Sequence, residues 1–104
     1  MRFTLNDIEL NLTAGSIIQQ GETTNIRAKT LLVLKHLITH QDKVVTKQEL
    51  LTTIWHDVIV QEQVLVQSIK EIRNLLGSEV IKTYPRQGYQ WTAELTAIEP
   101  PERP

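Results

Sequence analysis

The segment Gln61–Leu76 constrains this chain more than any other. Leu65, Ile69, Ile72 and Leu76 recur at i, i+4, i+7 and i+11, which at about 100° per residue is one narrow stripe along a helix. Gln63, Gln67, Lys70 and Asn74 repeat with the same spacing, centred nearly opposite. A helix divided in this way buries one side and presents amide and ammonium groups on the other. Gly77 follows where a left-handed residue ends a helix most readily. The start is poorly capped, because neither Gln61 nor Glu62 is a strong N-cap type.

Other elements fall into place around this helix. Arg2–Leu5, Ile8–Leu12, Ser16–Gln20 and Thr23–Ile26 are short, rich in Ile, Leu or Thr, and separated by turn residues. They predict a small antiparallel sheet serving as a platform. From Arg27 to about His40 the period becomes helical, with Ala28, Leu31, Leu34 or Lys35, and Ile38 on one side and Leu32 and Leu37 widening the stripe. Val44-Val45 reads as a brief extended piece. Thr46-Lys47-Gln48-Glu49 fits a capping box, in which the Thr46 hydroxyl accepts from the Glu49 N–H and the Glu49 carboxylate reaches back to the Thr46 N–H. Leu50, Leu51, Ile54 and Trp55 then give a short helix one apolar edge. Val80–Tyr84 and Tyr89–Leu95 flank Pro85-Arg86-Gln87-Gly88 as a β-hairpin, with Gly88 expected to supply a backbone conformation other residues resist. The expectation is one α+β domain over residues 1–96, with a Pro-rich tail or linker start from 97 to 104.

Composition excludes several classes. With 104 residues, 40% hydrophobic and 22% charged, the chain suits one globular core. No apolar run approaches the roughly 20 residues of a membrane span, and Met1–Asp7 has no secretory signal character. There is no cysteine, which removes disulfide and thiolate chemistry and is compatible with a cytoplasmic setting. His36 and His40 stand at i, i+4 on a helix, but the sequence shows no clear third ligand, so no metal is assigned. Ser16, Ser68 and Ser78 lack a nucleophile-elbow setting and no glycine-rich phosphate loop exists. No enzyme and no cofactor are expected. Net charge is −1, yet Arg27–Gln90 holds nine basic against six acidic side chains, a balance of +3, which is compatible with phosphate contacts without predicting them.

Taken in order, the chain reads sheet, helix, short capped helix, amphipathic helix, hairpin. The blocks Val44–Leu51, Ile54-Trp55, Val64-Leu65, Ser68-Ile69, Ile72-Arg73, Leu76-Gly77 and Val80–Tyr89 carry a resemblance. They resemble the winged helix-turn-helix domain of the OmpR/PhoB family of bacterial transcription regulators, nearest to its ToxR/CadC-like branch. The resemblance implies sequence-specific double-stranded DNA binding. Gln61–Leu76 would be the recognition helix in the major groove, the Thr46–Trp55 helix would brace it, and the hairpin, residues 80–95, would be the wing at the minor groove. RNA polymerase and a second copy on an adjacent half-site are partners this reading admits. So is a parent protein anchored in a membrane beyond this segment.

Within that frame, Gln63 and Gln67 can make bidentate bonds to adenine, Lys70 can donate to guanine, and Val66 can touch a thymine methyl. Asn74, one turn on, reaches phosphate more readily than a base. A solvated face is the alternative for all of them. Arg73 either binds phosphate or pairs with Glu49 or Glu71, and Glu71 either accepts from cytosine or pairs with Lys70 or Arg73. Arg86 at the hairpin tip suits the negative potential of a narrow minor groove. Thr83 and Tyr89 can hydrogen-bond phosphate oxygens, Tyr89 from a mostly buried ring. Lys47 is a phosphate contact or a plain solvated lysine. Positive charge is sparse, so a winged helix used only for protein contact is the rival reading.

Overall fold

The computed structural model describes residues 2–98. Four short strands come first: β1 (Arg2–Leu5), β2 (Ile8–Asn11), β3 (Ser16–Gln19) and β4 (Glu22–Asn25). Leu5, Ile8, Leu10 and Ile17 turn inward, while β4 is exposed along its whole length. The pairs are antiparallel, with Phe3 opposite Leu10 and Leu10 opposite Ile17.

Helix α1 (Ala28–Thr39) packs against α2 (Lys47–Ile54), α3 (Gln63–Leu76) and β7 (Gly88–Trp91). Its buried face is Thr30, Val33, Leu34, Leu37 and Ile38, rotated from the expected one: Ala28 is exposed and Leu32 keeps 42% of its surface. Hydrophobicity alone misplaces this face because a threonine belongs to it. The Thr30 hydroxyl donates to the Glu71 carboxylate at 2.7 Å, and a buried hydroxyl so paired avoids most of its desolvation cost.

Val45–Thr46 is more than an extended link. It forms strand β5 and pairs with β7 (Gly88–Trp91), which in turn pairs with β6 (Ile81–Tyr84), giving a three-stranded sheet in the order β5-β7-β6. Thr46 ends β5 and caps α2 (Lys47–Ile54): its hydroxyl accepts from the Glu49 N–H at 3.0 Å. The other half of the capping box is absent, since the Glu49 carboxylate turns to His36 and Lys43. At the far end of α2, the Lys29 ammonium donates to the Ile54 carbonyl at 2.9 Å, satisfying a terminal acceptor from α1.

Helix α3 (Gln63–Leu76) starts two residues later than the pattern suggested, with Glu62 as an N-cap that makes no side-chain bond. Leu65, Ile69, Ile72 and Leu76 are buried as the stripe required. The Gly77 N–H donates to the Arg73 carbonyl at 2.8 Å, and its φ of 120° is a backbone state that side-chain-bearing residues rarely adopt.

Gly88 has a different reason from the one expected. It is not a positive-φ residue. A Cβ there would lie 1.9 Å from the Val45 carbonyl oxygen, so β5 can pair at this register only with glycine opposite Thr46. Beyond β7 the ladder extends by one bond, Thr92 N–H to Val80 O at 2.8 Å, and the chain then leaves the hairpin. Thr96–Ala97 forms β8 on the free edge of β1, completing a five-stranded sheet in the order β4-β3-β2-β1-β8. Ala97, which the sequence reading gave to the tail, is therefore part of the platform sheet. Residues 99–104 of the proline-rich tail lie outside the described residues.

Candidate nucleic-acid interface

Alternation along α3 sets out one polar row. Gln63, Gln67, Lys70 and Asn74 are all exposed, and Val66, at its side, keeps 38% of its surface. Asn74 sits at the far end of the row, where it lines a groove with Asn25 of β4 and Arg27 and Thr30 of the α1 start. No hairpin residue lines that groove.

The hairpin turn carries its own signature. Gln87 N–H donates to the Tyr84 carbonyl at 2.9 Å, with Pro85 second in the turn and Arg86 third at φ 67°. A proline followed by a positive φ is the pattern of a type II turn, whose third position favours glycine. An arginine held there costs about 1–2 kcal/mol of backbone strain, and strain of this kind concentrates where side-chain placement matters.

Lys47 joins three elements. Its backbone N–H donates to the Gln87 carbonyl in the hairpin tip at 3.3 Å. Its ammonium donates to the Glu62 carboxylate, at the start of α3, at 2.9 Å. Lys47 and Arg86 line one hollow together with Thr46, Gln48 and Gln87. The hydrogen bond that Lys47 donates to Glu62 is the main reason the Lys47 pKa is raised, with the Glu62 charge adding to it. Glu62 escaped the sequence reading as a partner. The signal available was an acid immediately before the amphipathic helix, where a carboxylate is favoured by the helix dipole.

Two predicted contacts turn inward. Arg73 donates through Nη2 to the Ile81 carbonyl and to the Thr83 hydroxyl, both at 2.8 Å. Its expected acidic partners are engaged elsewhere: Glu71 binds Thr30 and lies 3.6 Å from Arg27, and Glu49 binds His36. Arg73 thus ties α3 to β6 and occupies the Thr83 hydroxyl. Tyr89 is buried at 5% exposure, within electrostatic reach of Lys47. Trp55, at 8%, is core as its spacing implied.

Residues 21–91 match the profile of the family described as transcriptional regulatory protein, C terminal. The chain belongs to this family. Its members are transcription-regulator DNA-binding domains rather than enzymes, and the three helices flanked by antiparallel sheets are their winged-helix fold. Transcriptional regulator HilA of Salmonella typhi is 31% identical over 104 residues, covering 96% of this chain and 19% of HilA. The chain therefore spans about a fifth of that relative. The DNA-binding domain of Escherichia coli CadC superposes with a TM-score of 0.76 at 22% identity, covering 90% of this chain and 94% of that one. The DNA-binding domain of Klebsiella pneumoniae RstA, solved in complex with the RstA box, does so with a TM-score of 0.66 at 18% identity, over 86% and 95% of the two chains. Among the described residues of this family member, no helix is long and apolar enough to cross a membrane.

Proposed function

We propose that this transcription-regulatory domain reads duplex DNA with α3 in the major groove and Arg86 of the hairpin at the adjacent minor groove. The observation that carries the reading is the exposed row on α3, whose opposite face is buried, beside a hollow that brings Lys47 and Arg86 together. Gln63, Gln67 and Lys70 have the donors and acceptors for base edges, and Val66 offers an apolar contact to a thymine methyl. Lys47 and Arg86 neutralise phosphate or groove potential. Lys47 first has to exchange Glu62 for phosphate. Thr83 and Tyr89 are weaker phosphate contacts, one already accepting from Arg73 and the other mostly buried. Arg73 itself acts by holding α3 to the hairpin, and Asn74 serves the C-terminal end of the row, beside β4 and the α1 start.

The domain would work in the cytoplasm, where its DNA is. RNA polymerase is a fitting further partner, because the connection between α2 and α3 exposes Val58 and Ile59, at 53% and 104%. A second copy on an adjacent half-site would raise occupancy by linkage on the same DNA. The test is fluorescence anisotropy on a promoter fragment at several salt concentrations. Log affinity should fall linearly with log salt. Gln67→Ala should narrow the gap between specific and random DNA, and Arg86→Ala should weaken both alike. Absence of binding even at low salt would leave the fold as a protein-contact module. Equal losses on both DNAs for both variants would overturn the division of roles.

A further inference from the structure

On the side of α1 that meets the first turns of α2, three side chains converge that DNA reading does not use. His36 and His40 stand one helical turn apart on α1, their rings 4.4 Å between centroids. Glu49 reaches them from α2, its Oε2 2.6 Å from His36 Nε2. One ligand atom from each of the three can be chosen so that all lie within 4.8 Å of one another. All three residues are half-buried, so an ion can enter from solvent without unfolding the domain.

We propose that His36, His40 and Glu49 form a binding site for a single divalent transition-metal ion of the zinc class, clasping α1 to α2. Two imidazoles and one carboxylate, with a fourth position left to water, are a recurrent donor set for zinc. The tautomer of His40 supports the assignment. Its Nδ1 lies 3.0 Å from the His36 carbonyl oxygen, and a carbonyl only accepts, so Nδ1 carries the proton and Nε2 keeps its lone pair. A ring N–H donated to a backbone carbonyl is the outer contact that orients metal-ligating histidines. At His36, Nε2 donates to the Glu49 carboxylate in the unmetallated domain. Metal binding moves that proton to Nδ1 or to solvent and places the ion between the two groups. Metal bonds of about 2.0–2.2 Å set neighbouring ligand atoms about 3.4 Å apart, so the His36–Glu49 pair opens by under about 1 Å. The opposing charge is Lys43, whose ammonium is 3.5 Å from Glu49 Oε1. Oε2 faces His36, which leaves Oε1 to the lysine.

Isothermal titration of the 104-residue chain with zinc chloride should show one ion per chain and a melting temperature that rises by several degrees at saturation. His40→Ala and Glu49→Gln should each weaken binding at least tenfold, while His56→Ala, remote on the α2–α3 connection, leaves it unchanged. Imidazole nitrogen NMR of the parent chain makes the test independent of how the variants fold. The Nε2 signals of His36 and His40 should shift together on zinc addition, with His56 unaffected. Binding that persists at parent affinity in His40→Ala, no saturation below millimolar zinc, or a shift confined to His56 would each overturn the assignment.

Discussion

Replacing Gly88 by alanine tests whether the close passage of β5 over β7 organises this half of the domain. The added Cβ would stand 1.9 Å from the Val45 carbonyl oxygen and 2.8 Å from the Thr46 Cα. To restore even a 3.0 Å separation from that oxygen, β5 would have to recede by 3.0 minus 1.9, or 1.1 Å. A cross-strand bond of about 2.9 Å stretched by that amount is no longer a bond. Two such bonds at about 1 kcal/mol each, with about 2 kcal/mol for disturbing the core around the fully buried Val45, give a loss of about 4 kcal/mol. For a domain of this size that lowers the melting temperature by on the order of 20 °C. Urea unfolding followed by circular dichroism would measure it. Gly21→Ala is the control: nothing lies within 4 Å of its Cβ, but its φ is +81°, so it carries backbone strain alone, about 1 kcal/mol. A Gly88→Ala loss under about 1 kcal/mol, or one no larger than that of Gly21→Ala, would refute the argument from close approach.

Glu62→Gln removes the carboxylate holding the Lys47 ammonium and should raise DNA affinity severalfold. The added phosphate contact should steepen the salt slope by about 0.9, as read by anisotropy; an unchanged slope would mean Lys47 does not reach phosphate. Arg86→Gly relieves the positive φ and should raise stability by about 0.5 kcal/mol while lowering affinity about tenfold on any sequence. A melting temperature that falls instead would show the turn is not strained. Thr30→Val leaves the Glu71 carboxylate without its 2.7 Å donor and should cost about 1–3 kcal/mol in urea unfolding; a neutral result would mean water or Arg27 replaces the hydroxyl.

Much of the architecture was legible because it follows from periodicity. The stripe Leu65-Ile69-Ile72-Leu76 and its polar opposite row need only the helical repeat, and the hairpin needs only β-rich flanks around Pro85 and Gly88. What escaped depends on partners distant in the chain. The buried side of α1 includes Thr30 because Glu71, 41 residues away, accepts its hydrogen bond. Glu49 looks like half of a capping box until α1 brings His36 within 2.6 Å, which also supplies the third ligand atom the histidine pair lacked. Gly88 looks like a turn glycine until β5 crosses it. At the candidate interface, the exposed row on α3 was readable, whereas the inward turn of Arg73 and the pairing of Lys47 with Glu62 were not. Long flexible side chains select partners that only the assembled surface provides.

Thr46 has a consequence at the scale of the double helix. It closes strand β5 against the wing and opens α2 in the same peptide, the next residue bonds the wing tip through its N–H, and Arg73 ties α3 to the wing at Ile81 and Thr83. The parts proposed to meet the major and minor grooves therefore cannot slide independently. Such a domain behaves as a fixed-gauge caliper along the DNA axis. One base pair inserted between its two contact points advances them by about 3.4 Å and rotates them by about 35°, and the caliper has no joint with which to follow. Operators for this protein should thus tolerate substitutions between the contacted steps far better than insertions of a single pair.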